Sequence, residues 1–156
     1  MNSLDLGLIG NGSISALVDN KGEIVWSCFP RFDGDPVFCS LLRESDGDDS
    51  FGFFGIELEG LSESEQRYQE NTAILVTRLQ DSRGGVVEIA DFCPHFVRFG
   101  RVFQPMALIR RITRISGSPR IRIRVRPAGN YGAERPQHTF GTNHVRYLLP
   151  GLVLRL

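Results

Sequence analysis

Arg120-Ile121-Arg122-Ile123-Arg124-Val125-Arg126 alternates strictly between guanidinium and branched aliphatic side chains. Successive side chains of an extended strand point to opposite faces, so a period of two reads as a half-buried β-strand. On this reading Ile121, Ile123 and Val125 face a core and the four arginines face away from it. The expected hairpin partner is Leu108 to Ile115, joined through the turn residues Ser116-Gly117-Ser118-Pro119. A strand of this kind needs a sheet around it, and the rest of the chain supplies one.

Outward from that segment the apolar residues come in short bursts between Gly, Asn, Asp, Ser and Pro, and the seventeen glycines suit a turn-rich chain. Strands are predicted at Leu4 to Ile9, Ile14 to Val18, Glu23 to Phe29, Ser50 to Leu58, Glu65 to Tyr68, Ala73 to Gln80 and Val86 to Phe92. Asp19-Asn20-Lys21-Gly22 and Asp81-Ser82-Arg83-Gly84-Gly85 have the residues of tight turns. Only Val37 to Leu42 has helical spacing, which predicts one short helix near 37–43 packed under a sheet. The chain therefore reads as all-β in a single domain over 1–156, of a length that buries roughly two-thirds of its extended surface.

Lysine plus arginine equals aspartate plus glutamate at eighteen each, which leaves no overall field to attract nucleic acid or an anionic membrane. Cys28, Cys39 and Cys93 form an odd set without a Cys-x-x-Cys pair, so reduced and buried thiols are expected. The amino terminus lacks the basic and apolar regions of a secretory signal, and no run approaches the roughly 20 apolar residues needed to cross a bilayer. These features describe a soluble, cytoplasmic protein that binds neither nucleic acid nor membrane.

Gly10-Asn11-Gly12 followed by Ile24-Val25-Trp26-Ser27-Cys28-Phe29-Pro30-Arg31-Phe32-Asp33 and then Pro36-Val37-Phe38 resembles the beginning of glycoside hydrolase family 15, which includes glucoamylases, glucodextranases and bacterial trehalases. Tyr68, Thr72 to Leu75, Val87 to Pro94 with Asp91-Phe92 at its centre, Leu108 to Arg111 and Arg126-Pro127 to Gly132 continue the resemblance in order along nearly the whole chain. It implies an all-β, antiparallel β-sandwich of the supersandwich-like kind, linked in full-length members to an (α/α)6 barrel. In the family, two glutamates of that barrel act as general acid and general base with inversion. Inversion needs carboxyls roughly 6.5–9.5 Å apart to admit a water. No barrel-like run of amphipathic helices occurs here, so the implied role is that of a non-catalytic N-terminal domain of an α-glucoside hydrolase, needing neither cofactor nor metal. A free-standing carbohydrate-binding or protein-interaction module is the alternative.

Pro30-Arg31-Phe32-Asp33 is the strongest candidate for contact with sugar or with the barrel. It combines a rigid turn, an aromatic ring for the C–H face of a pyranose, and an arginine and a carboxylate for its hydroxyls. An Arg31–Asp33 ion pair that merely holds the turn accounts for the same residues. Trp26 is either a core residue or a second sugar platform. Asp33 and Asp35 lie too close in one loop to straddle a glycosidic bond. Asp46-Gly47-Asp48-Asp49-Ser50 with Glu57 has some calcium-loop character, but Phe51 stands where that loop needs glycine. His95, His138 and His144 are scattered, Cys93-Pro94-His95 reads as a strand end, and the arginine ladder reads as a solvated or carboxylate-paired face rather than a phosphate site.

Leu152-Val153-Leu154-Arg155-Leu156 aligns three leucines on one strand face at the very end of the chain. The expectation is a sandwich truncated at its C-terminus, with an uncovered sheet edge. The isolated chain should therefore self-associate through that edge; size-exclusion chromatography with light scattering measures this, and a stable monomer at high concentration would count against it.

Overall fold

The computed structural model describes residues 4–43 and 51–156. Among them, β1 (Leu6–Gly10), β2 (Ser15–Asp19), β3 (Ile24–Cys28), β4 (Pro36–Phe38), β5 (Phe53–Leu58), β6 (Leu61–Tyr68), β7 (Leu75–Asp81), β8 (Val86–Phe92), β9 (Phe96–Arg98) and β10 (Arg101–Phe103) precede β11 (Ile109–Ser116), β12 (Ile121–Arg126), β13 (Gln137–Phe140), β14 (Val145–Leu149) and β15 (Leu152–Arg155). One sheet runs β1-β2-β3-β5-β12, with β4 also on β3, and a second runs β11-β8-β7-β6. All pairings are antiparallel. The two sheets stack around Ile9, Val18, Ile24 and Ile56 from the first and Leu75, Leu79, Val87 and Ile89 from the second. The all-β sandwich expected from the sequence is thus the observed fold. A three-stranded sheet, β13-β14-β15, lies at one end, where Leu149, Leu152 and Leu154 pack on the core.

The hairpin expected between Leu108 to Ile115 and the arginine ladder does not form. Strand β11 pairs with β8 in one sheet, whereas β12 crosses to pair with β5 in the other. Each strand answers to a charge on its neighbour: Arg110 of β11 lies opposite Asp91 of β8, and Arg124 of β12 bonds Glu57 of β5. The period of two is nevertheless correct, since Ile121, Ile123 and Val125 stand opposite Leu58, Ile56 and Phe54 on the core side. Because β12 is the outer strand of its sheet, Ile121 and Ile123 remain exposed there.

The helix predicted near 37–43 also resolves differently. Val37 and Phe38 belong to β4, held in the sheet by β3 and by packing of Phe38 on the Phe54 ring at 6.2 Å, and only Ser40–Leu42 forms a single 3-10 turn. The run is rich in residues that suit a pleated surface, and a free place beside β3 takes them. Gly22 closes the β2–β3 turn with φ +79, and a Cβ there would sit 3.2 Å from Ile89 of the opposite sheet. Asp19 fixes that turn by accepting the Lys21 and Glu23 amides at 2.9 and 2.7 Å. At the outer edge of β1, the Tyr68 hydroxyl both donates to the Leu8 carbonyl and accepts its N–H at 2.8 Å, which satisfies groups that an edge strand leaves open.

Among the described residues, one charged pair lies between the sheets. Arg110 and Asp91 have side chains 3% and 0% exposed, bonded bidentately at 2.8 and 3.0 Å. The same guanidinium donates to the Phe54 carbonyl at 2.7 Å and to the Gly22 carbonyl, both in the other sheet, and lies over the Phe54 ring at 4.6 Å. Burial pushes the Asp91 carboxyl above the usual carboxylate range, against the pull of Arg110. Among the described residues no helix is long and apolar enough to cross a membrane.

Two outcomes are expected. Asp91→Ala or Arg110→Ala, which each strand a buried charge or its backbone acceptors, should cost about 3–5 kcal/mol in urea titration, while the Asp91→Leu/Arg110→Met double variant should lose much less than the sum. Cys28, Cys39 and Cys93 are buried free thiols, with Cys93 pushed up to about 11 by burial. They should react with a disulfide reagent at pH 8 only when denaturant opens the fold.

Candidate functional site

Strand β3 delivers its C-terminal end to a loop at one end of the sandwich, and Pro30, Arg31, Phe32 and Asp33 occupy that loop. The Phe32 amide donates to the Ser13 carbonyl at 3.1 Å, tying the loop to the β1–β2 turn, and the Gly34 amide closes on the Arg31 carbonyl at 3.0 Å. Arg31 bonds both oxygens of Asp33 at 2.9 Å, with the two side chains 73% and 51% exposed. That guanidinium holds the Asp33 carboxyl below the usual carboxylate range. Phe32 is exposed beside the pair. The geometry joins an apolar ring to an ionised, hydrogen-bonding fork.

Trp26 is half-buried on β3, opposite Leu17 of β2. Asp35 is exposed in the same loop.

Asn11 is the organising residue that sequence reasoning passed over. Its side chain is nearly buried; the oxygen accepts the Ser13 and Ile14 amides at 3.0 and 3.2 Å, and the nitrogen donates at 2.9 Å to the carbonyls of both Pro94 and Pro105. Three connections therefore meet on one amide: the β1–β2 turn and the two feet of the β9–β10 hairpin. The Gly-Asn-Gly triplet signalled a turn, but only the tertiary structure places its amide between two distant prolines.

Three carboxylates elsewhere are committed to structure. Asp91 is held by Arg110, Glu57 by Arg124, and Asp81 by the Arg83 and Gly85 amides at 2.7 and 2.8 Å. An apolar cavity of about 430 Å³, walled by Phe29, Phe38, Phe54, Leu108 and Leu154 among others, is lined by no Asp or Glu. A second hollow of about 440 Å³, containing Phe51, Arg126, Arg135 and His138, is lined by none either, whereas two smaller hollows of about 340 and 270 Å³ do hold acids, Glu59 and Asp81 in one and Asp19, Glu23 and Glu57 in the other. The arginine ladder is not a free phosphate stripe: Arg124 lies 4.9 Å over Phe53 and Arg126 lies 5.4 Å over Phe51, aromatic partners contributed by β5 and the residues before it.

Among the described residues no group of three His, Cys, Asp or Glu side chains is placed to hold a metal ion. Asp46 to Ser50 of the calcium-like segment lie outside the described residues, and its Glu57 is engaged by Arg124. His95 and His138 are exposed on separate elements, and His144 lies near Arg155.

The comparisons with known proteins agree with this geometry. A trehalase of Thermoplasma volcanium is 31% identical over 141 residues, which cover 86% of this chain and 22% of that protein. Trehalase 1 of Sulfolobus acidocaldarius is 35% identical over 150 residues, covering 93% of this chain and 23% of that protein. The chain therefore spans less than a quarter of the length of these curated relatives. No solved structure matches it. The model of the family described as "Trehalase-like, N-terminal" matches residues 4–147, and with a β-sandwich over the same residues the chain belongs to that family.

Proposed function

We propose that this chain acts as the non-catalytic β-domain of an inverting α-glucoside hydrolase of the trehalase type, supporting a catalytic barrel formed by other residues. The observation that supports this most is the match of residues 4–147 to the trehalase-like N-terminal family, together with a chain that spans less than a quarter of its trehalase relatives. Inverting hydrolysis requires an acid and a base on opposite sides of the scissile bond. Asp91, Glu57, Asp81 and Asp33 are each already bound by an arginine or by backbone amides. The acids of the reaction then come from outside the chain, and the Pro30–Asp33 loop meets the sugar or the barrel rim.

A binding module without catalysis is the second reading, favoured by one observation: Phe32 is 61% exposed next to a preformed Arg31–Asp33 fork. Calorimetry of the isolated chain with trehalose and maltose separates the two, since only a free-standing module binds either sugar unaided.

The decisive test is hydrolysis. The isolated chain should cleave neither trehalose nor maltose. Fused in place of the matching segment of the Sulfolobus acidocaldarius trehalase, it should support trehalose hydrolysis. There, Arg31→Ala and Phe32→Ala should each lower kcat/KM about tenfold without moving the melting temperature. Hydrolysis by the chain alone would overturn the proposal, and unchanged kinetics in both variants would reduce the loop to a self-contained turn.

A further inference from the structure

We infer that the β9–β10 hairpin is a docking arm that seats on an apolar surface rimmed by carboxylates, on the part of the longer protein lying outside these residues. The inference rests on the reading of the chain as one domain of a longer hydrolase, and it names the contact between the parts.

Every residue from 95 to 106 is exposed, and Phe96, Val97, Phe99, Val102, Phe103 and Met106 are large and apolar. A two-stranded hairpin has no interior of its own. In the register Phe96–Phe103 and Val97–Val102, the phenylalanines stack on one face at 5.5 Å and the valines pair on the other. The valine face is thus apolar, while by the same alternation the phenylalanine face also carries Arg98 and Arg101, a mixture that suits an arm seated on apolar ground with carboxylates at its rim.

The tip is built against local preference. A two-residue turn with positive φ at both positions ordinarily takes Asn, Asp or Gly first and Gly second. Here Gly100 (φ 70) fills the second place, but Phe99 (φ 52) fills the first, 86% exposed with the Arg98 guanidinium 5.0 Å from its ring. An aromatic ring held at the end of an arm in a costly backbone conformation, with the Arg98 guanidinium beside it, is placed for contact with a partner.

The base is firm. The Asn11 amide bonds the carbonyls of Pro94 and Pro105 on either side of the hairpin, so the arm leaves the sandwich from a clamped root. The chemistry of the receiving surface follows from charge. From 94 to 107 the charged residues are Arg98 and Arg101, which stand directly opposite each other, and no Asp or Glu occurs. Like charges in register repel unless a partner supplies carboxylates. A second copy of the arm would bring two further arginines to the same place, which disfavours arm-to-arm pairing. The relatives extend over more than four times the matched length, which leaves ample protein to carry the receiving surface.

The test uses the Sulfolobus acidocaldarius trehalase lacking its matching segment as the probe, titrated with this chain by fluorescence anisotropy while trehalose hydrolysis is followed in the same samples. The intact chain should bind and restore activity, more weakly as salt rises. Val97→Asp/Val102→Asp and Phe99→Asp should each weaken binding at least tenfold with unchanged circular dichroism and melting temperature, and Arg98→Ala/Arg101→Ala should flatten the salt dependence. Unaltered binding by the aspartate variants, alongside restored activity, would overturn the arm and leave the domain assignment standing. Loss of self-association in those variants with binding to the probe intact would show a second copy to be the occupant and overturn it likewise. An intact chain that neither binds nor restores activity would remove both.

Discussion

One guanidinium spans the two sheets. Arg110 holds the buried carboxylate of Asp91 beside it and, across the sandwich, the carbonyls of Phe54 and Gly22. Charges taken out of water are expensive unless every donor finds a partner, and here the acceptors come from three separate strands or turns. Apolar packing brings the sheets together without specifying their relative position, because dispersion and the hydrophobic effect are largely non-directional. A bidentate ion pair with fixed backbone acceptors is directional. Much else depends on it: β11 joins β8 rather than β12, Gly22 approaches the opposite sheet closely, and the Phe54 ring lies under a cation.

The two ends of polarity in this fold are separated. Inside, the ion pair is committed to holding the sheets, and at one end the Arg31–Asp33 fork, the exposed Phe32 and the clamped hairpin root are presented to the outside. Asn11 links the two regimes, since its buried amide organises the turns from which the exposed groups project. This division fits the supporting role proposed above, in which contact is the work of the domain. The outer strands point the same way, as Ile121 and Ile123 are on the core side of their sheet yet remain uncovered.

Much of the architecture was legible in the chain. Alternation over 120–126 and short apolar bursts between turn residues identify strands, because side-chain direction in an extended backbone has a period of two irrespective of partner. The Pro30–Asp33 loop was legible as a rigid, mixed-polarity turn, and its internal ion pair needs only residues two apart. The β9–β10 hairpin was not found, since His95 to Met106 lacks both alternation and a customary turn pair, and Phe99 in a left-handed position runs against preference.

What the sequence by itself determined is the all-β class, the family resemblance, the positions of most strands and the composition of the candidate loop, all set by local periodicity and short motifs. Only the tertiary structure decided which strands pair, that Val37 and Phe38 extend a sheet instead of a helix, and that Asn11 clamps Pro94 and Pro105. The physical reason is range: strand character arises within a few residues, whereas pairing is chosen by buried charges and amides that find one another across tens of positions, and nothing in the local pattern records which distant partner will satisfy them.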